Sequence, residues 1–218
     1  MTYQIGILGG TGPAGRGLAI RLASAGYRVI IGGRDAERSV SVSLGLVPRG
    51  SGTINGGSNE EAAAAEVVVV ATPWDSAVDT VKSSKALLEG KVVISMVNAL
   101  QKEGRELVPM YPPRGSMAAQ IAFALPHSRI AGAFHHLPAS DMENLDSGIN
   151  ADVIIFGDDI DARRVTMEIT NAITGLRAIE AGSMSLASPV EAFTAVCISI
   201  NIRHKAHTYV RLAGMPEA

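Results

Sequence analysis

A short apolar run, Ile5-Gly6-Ile7-Leu8, passes directly into Gly9-Gly10-Thr11-Gly12-Pro13-Ala14-Gly15, and Leu18-Ala19-Ile20-Arg21-Leu22-Ala23 follows at helical spacing up to Gly26. Nothing else in the chain restricts the fold so strongly. Arg28-Val29-Ile30-Ile31 supplies a second apolar run, so the order is strand, glycine turn, helix, strand, and the two strands must pair in parallel across the crossover. Within Gly10-x-Gly12-x-x-Gly15 the first glycine permits the turn, the second lets backbone approach a pyrophosphate, and the third lets helix pack on strand. The helix N-terminus adds unpaired N–H groups and partial positive charge. A dinucleotide site formed by Gly10, Thr11, Gly12, Pro13, Ala14 and Gly15 is the expectation.

The alternation continues to the end of the chain. Helix is expected from Asp35, a short strand near Thr53-Ile54, and an Ala-rich helix from Asn59 capped by Ser58 or Asn59. Val67-Val68-Val69-Val70-Ala71 has no polar alternation, as in a central parallel strand covered on both faces. Thr72-Pro73-Trp74-Asp75 ends it and opens a helix to about Lys85, and Val92 to Val97 reads as the next such strand. Further helices are expected at 116–125 and 162–173, with strands at 130–134, 153–157 and 176–180. This pattern predicts an α/β fold, a Rossmann-type doubly wound and mainly parallel sheet with a small C-terminal helical part. Ser188, Pro189 and Glu191 spell a capping box for that last helix, which runs from Val190 to about Leu212, roughly 35 Å at ~1.5 Å per residue. Its first half is apolar on nearly every face and its second half is basic, so it reads as buried against the core or in a subunit interface.

The end of the second strand selects the dinucleotide. An NAD site places Asp or Glu there, about 20 residues past the glycines; this chain has Gly32-Gly33-Arg34, with Arg38 one helical turn on. Two guanidinium groups suit a 2′-phosphate, which predicts NADP, although Arg34 could also be a surface residue paired with Asp35 or Glu37. Segment 1–182 is then the NADP-binding domain and 183–218 a helical segment.

A net charge of −2 gives no global field for nucleic acid or an anionic membrane. Cys197 is the single cysteine and lies in an apolar run, which predicts a buried, reduced thiol. No apolar run reaches ~18 residues and the N-terminus lacks a signal-peptide pattern, so a cytoplasmic protein without a spanning helix is expected. The five histidines have no Cys or carboxylate spaced to complete a metal shell, and no metal is expected. Leu46-Val47-Pro48-Arg49-Gly50-Ser51 matches a thrombin cleavage sequence but lies internally, where it reads as coincidence or an altered loop.

The chain resembles the coenzyme F420-dependent NADP oxidoreductases. The likeness rests on Ile7-Leu8-Gly9-Gly10-Thr11-Gly12-Pro13-Ala14-Gly15-Arg16-Gly17-Leu18-Ala19, Gly33-Arg34, Thr72-Pro73-Trp74, Gly132-Ala133-Phe134-His135-His136-Leu137-Pro138-Ala139, Gly157-Asp158-Asp159 and Asn201-x-Arg203-x-Lys205-Ala206-His207. It implies reversible hydride transfer between NADPH and an 8-hydroxy-5-deazaflavin, with no metal and no acid or base catalyst. It also implies a 2′-phosphate grip of Thr11, Gly33, Arg34 and Arg38, where Gly33 stands in place of the family's serine. Strand-end contacts to the cofactor fall at Thr72, Pro73, Trp74 and Asn98, with Trp74 equally readable as a core residue at a helix entry. Deazaflavin contacts fall at His135, by a hydrogen bond, and at Leu137; Asn201, Arg203, Lys205 and His207 complete that site. His136 and His127 read as solvated. Arg203, Lys205, His207 and Arg211 suit the coenzyme's anionic tail, and equally the macrodipole at a helix C-terminus.

The resemblance further implies small-molecule redox coenzymes as partners, no nucleic acid or membrane, and a homodimer through the last helix. Two alternatives remain. Another small NADP-dependent reductase, of pyrroline-carboxylate or β-hydroxyacid type, would need a long all-α substrate domain, and the latter a catalytic Lys. A non-catalytic NADP-sensing module, or the cytosolic domain of a ferric reductase, would lack the second ring site or require membrane helices.

Overall fold

The computed structural model describes residues 3–104 and 106–215; the outermost ends of the expected segments 1–182 and 183–218 lie outside the described residues. In chain order the elements are β1 (Gln4–Leu8), α1 (Pro13–Ser24), β2 (Arg28–Gly33), α2 (Ala36–Leu44), β3 (Thr53–Ser58), α3 (Asn59–Ala63), β4 (Val67–Val70), α4 (Trp74–Ser83) and α5 (Lys85–Leu88). Then come β5 (Val92–Ser95), β6 (Leu100–Glu103), β7 (Glu106–Pro109), α6 (Met117–Ala124), β8 (Arg129–Gly132), α7 (Ala139–Glu143), β9 (Ala151–Phe156), α8 (Ile160–Ala172), β10 (Leu176–Gly182) and α9 (Ala187–His204).

Eight strands form one sheet in the order β10-β9-β8-β5-β4-β1-β2-β3. Pairing is parallel from β3 through β8 and again between β9 and β10, and only the β8–β9 join at Gly132 and Phe156 is antiparallel. The four-valine run sits at the centre. Val67 and Val69 pack with Ile5, Ile7, Leu18, Leu22 and Ile94 on one face, while Val68 and Val70 pack with Leu8, Val81, Leu88, Val93 and Ile121 on the other. An apolar residue is therefore required at every position of β4. Strand order reverses at β1/β4, which places the ligand crevice beyond the C-terminal ends of those two strands.

Several features refine or differ from the sequence reading. β6 and β7 form an antiparallel hairpin with no buried strand residue, which no apolar alternation announces. The stretch 39–51 is half helix: Asp35 accepts from the Arg38 N–H at 3.0 Å to cap α2, and the chain beyond Leu44 is a loop. That loop is fastened to α1, since the Arg49 N–H donates to Ser24 Oγ at 3.0 Å and Leu46 is buried.

The last helix departs most. No side chain caps its start, because Glu191 points instead at the first turn of α6, accepting from the N–H groups of Met117 (2.7 Å) and Ala118 (2.9 Å). The capping box is thus overruled by a tertiary contact. The helix ends at His204, well short of Leu212: Lys205 turns left-handed (φ 51°), and Asn201 Oδ1 reaches forward to accept from both the N–H and the hydroxyl of Thr208 at 2.7 Å. Beyond it, the chain runs back along β9, where the Asp152 N–H donates to the Val210 carbonyl at 2.8 Å. Asp152, fully buried, gathers Arg177, Arg211 and the Leu212 N–H, and the Arg177 hydrogen bonds hold its carboxyl below the usual range. Against expectation, Met184–His204 is long and apolar enough to cross a membrane by length and mean hydropathy (1.4). Its buried Glu191 and Thr194, however, make hydrogen bonds within this fold.

Candidate functional site

The glycine loop between β1 and α1 is braced from two sides. The Gly10 N–H donates to the carbonyls of Ile7 (3.1 Å) and Gly32 (2.9 Å), and the Gly9 N–H donates to Asn59 Oδ1 (3.2 Å). Gly12 precedes α1 with no side-chain cap and Pro13 stands at its first position, so the first-turn N–H groups are left for an anion. A Cβ on Gly15 would lie 2.6 Å from the Gly10 Cα, so that glycine is demanded by packing of helix on loop. A Cβ on Gly12 would meet only the Gly9 carbonyl at 3.6 Å, so nothing in the protein demands that one.

The loop forms one wall of a cleft of about 530 Å³ whose lining includes Thr11, Gly12, Pro13, Ala14, Gly33, Arg34, Arg38, Thr72 and Pro73. The structure thus brings these nine expected residues together, with Gly10 and Gly15 behind them. No carboxylate pairs with Arg34 or Arg38 among the described residues, and Thr72 Oγ1 is buried without a partner. Asn59 and Arg16 also line this cleft. Sequence marked Asn59 only as a helix start, and Arg16, held at 3.1 Å by Glu143, carried no signal of its own. Trp74 opens α4, is over a third exposed, and lines neither this cleft nor the next.

A second cleft, of about 230 Å³, adjoins the first at Ala14 and is walled by Met96, Asn98, the segment 134–139 and one face of α9. Thr194, Cys197, Ile198 and Asn201 form that face. Their spacing is one helical stripe, a pattern present in the sequence but hidden among apolar neighbours. Asn98, His135, Leu137 and Asn201 are therefore brought together. Arg203, Lys205 and His207 are not: all three are exposed, Arg203 stands 4.0 Å from Glu106, and His207 Nδ1 lies 2.7 Å from the Asp141 carboxylate.

Both histidines here are buried. His135 stacks on Phe156 (centroids 5.4 Å apart), neither of its ring nitrogens has a partner, and burial pushes its pKa down to about 3, so it is neutral. His136, expected in solvent, is instead packed edge-on against Phe193 and donates from Nε2 to the Val190 carbonyl at 2.7 Å; burial lowers its pKa too. His127 is exposed. Among the described residues no three His, Cys, Asp or Glu side chains converge as a metal site would require. A larger concavity than either, about 1070 Å³, is an open groove between α4 and α6 that shares no lining residue with these two clefts.

A family model described as NADP oxidoreductase, coenzyme F420-dependent, matches residues 4–99. The chain is similar to the F420-dependent NADP reductase of Methanocaldococcus jannaschii, with 33% identity over 97% of this chain and 99% of the relative. It is equally similar to the F420-dependent NADP reductase of Methanothermobacter marburgensis, with 34% identity over 98% and 100%. A crystal structure from Arthrobacter sp. FB24, 24% identical, superposes with a TM-score of 0.78 over 95% of this chain and 97% of that one, which shows the fold.

Proposed function

From the premise that the chain belongs to the coenzyme F420-dependent NADP oxidoreductase family, we propose that it passes a hydride directly between NADPH over the glycine loop and coenzyme F420 in the second cleft. The observation that carries this reading is the pair of clefts sharing Ala14. Two flat rings entering from opposite sides would meet there, and hydride transfer needs carbons ~3–3.5 Å apart. The coenzymes supply the redox chemistry. The protein orients and excludes water: the α1 N-terminus holds the pyrophosphate, and Arg34 and Arg38 take the 2′-phosphate with help from Thr11. In the second cleft Leu137, Ile198 and Cys197 provide an apolar wall, and neutral His135 adds no charge against the ring. The β-hydroxyacid alternative loses its footing here, because no lysine is among the residues lining this cleft.

Oxidised F420 added to protein and NADPH should drive loss of the near-ultraviolet NADPH absorbance. If F420 and flavins alike left NADPH unoxidised, the enzyme reading would fall. Arg34→Ala is expected to weaken NADPH about 100-fold, the worth of one or two charge-assisted phosphate bonds, and to change NADH little. Equal loss for both dinucleotides, measured by fluorescence titration, would remove the 2′-phosphate role.

We further place the segment from residue 183 as the element completing the deazaflavin site in a cytoplasmic homodimer. α9 presents Phe193, Val196 and Ile200 as an exposed apolar stripe on the face adjoining the one that lines the cleft, a surface suited to a second copy. Sedimentation equilibrium that found only monomer would remove this part.

A further inference from the structure

Three segments distant in sequence meet at one carbonyl oxygen beneath the second cleft. The His135 carbonyl accepts from Asn98 Nδ2 at 3.1 Å and lies 3.3 Å from Thr194 Oγ1, which is itself 3.1 Å from Asn98 Oδ1. Asn98 follows β5, His135 follows β8, and Thr194 belongs to α9. Thr194 is 4% exposed, so water does not compete for its single hydroxyl proton, which is shared between the two oxygens. The junction sits beside an unusual backbone: Phe134 has φ 67°, a left-handed conformation that aromatic residues rarely adopt. That kink turns residues 134–139 along the wall of the cleft. A disfavoured conformation persists only when its surroundings hold it. Here the His135 ring makes no hydrogen bond, so the polar hold on this segment next to the kink comes from the His135 carbonyl, with the His136 Nε2 bond to the Val190 carbonyl beside it.

We propose that Thr194 is a positioning residue, whose hydroxyl, with Asn98, fixes the Phe134–His135 turn and so sets how the ring in the second cleft lies against the nicotinamide. This rests on the hydride-transfer reading above. The amide of Asn98 is thereby spent on both sides within the protein, its Nδ2 on His135 and its Oδ1 on Thr194, so its part is to brace the wall.

The test compares Thr194→Val, which keeps the shape and removes the hydroxyl, with Thr194→Ser, which restores it. Thr194→Val is expected to lower kcat about 10-fold, because small misplacements of reacting atoms cost rate steeply, while KM for NADPH stays within about 2-fold, its own cleft being untouched. Amide hydrogen exchange at 134–137 should quicken in Thr194→Val without any coenzyme present and return to the wild-type rate in Thr194→Ser, as should kcat. Asn98→Asp gives a second approach to the same junction, setting an oxygen against the His135 carbonyl; combined with Thr194→Val it should add little to the loss, as expected for groups acting as one unit. Wild-type kcat and exchange in Thr194→Val, or equal losses in the valine and serine variants, would overturn the proposal. If wild-type protein does not turn over F420, the function reading fails instead, and the exchange measurement still decides the role of Thr194.

Discussion

Gly12→Ala is expected to abolish useful NADPH binding, weakening it at least ~100-fold, in a protein that folds as before. The added methyl meets no protein atom closer than the Gly9 carbonyl at 3.6 Å, and the backbone there (φ −74°, ψ 163°) suits any residue. The loss of stability should stay near or below ~1 kcal/mol, the worth of a poorer helix cap. Gly15→Ala should behave in the opposite sense. Its methyl would sit 2.6 Å from the Gly10 Cα and 2.9 Å from the Gly10 carbonyl oxygen, both backbone atoms, so α1 has to move away from the loop. A cost of ~3 kcal/mol follows from overpacking of this kind. Thermal denaturation with NADPH titration separates the two. Gly12→Ala binding NADPH like wild type would mean that the coenzyme does not pass over this loop, since only a ligand gives Gly12 its reason to lack a side chain.

That contrast also shows what kind of information the sequence held. The glycine loop, the crossover and the β4 valines were legible because local spacing and tertiary role agree: an apolar residue at every position of 67–70 has one use, in a strand covered twice. The errors fall where a distant partner decides. Ser188-Pro189-x-Glu191 has the local grammar of a helix start, yet the Glu191 carboxylate is worth more at the N-terminus of α6, where Ser116 caps only the Ala119 N–H and Glu191 satisfies those of Met117 and Ala118. No glycine or proline lies between His204 and Leu212, so the helical pattern runs on there; the stop is made by Asn201 folding the chain back onto Thr208. The β6–β7 hairpin buries none of its strand residues, which leaves no periodicity to read. In the second cleft, the motif residues His135, Leu137 and Asn201 were visible, while Thr194 and Cys197 were indistinguishable from core. Arg203, Lys205 and His207 suit an anionic tail by motif and charge, but they stand outside the cleft lining, with Arg203 near Glu106 and His207 on Asp141.

Glu191 also supplies a pH effect that can be assigned to one group and runs against that of the buried histidines. Burial pushes its pKa up from 4.5 to about 7 despite two backbone N–H bonds that favour the charged form. The folded protein therefore binds a proton that the unfolded chain releases between pH 4.5 and about 7, so this group's contribution falls as pH rises through that window and is lost above it. Integrated over the shift, the change is about 3 kcal/mol. His135 works in the opposite direction: its pKa is lowered from 6.5 to about 3, so the unfolded chain takes up the proton first and stability falls as pH drops below 6.5. His136, also lowered, adds to that acid-side loss. The wild-type curve then superposes opposed slopes in which the Glu191 contribution is masked, and only a difference reveals it. In Glu191→Gln the titration is gone, while the amide can accept from only one of the two N–H groups, a roughly pH-independent cost of ~1–3 kcal/mol. Denaturant unfolding at a series of pH values should show the stability advantage of wild type over Glu191→Gln shrinking by about 3 kcal/mol between pH 4.5 and 8. A difference that stays constant would mean that the α6 N-terminus holds the carboxylate ionised throughout, and that the contact between α6 and the cleft-forming helix α9 is a permanent ion–dipole bond insensitive to proton uptake.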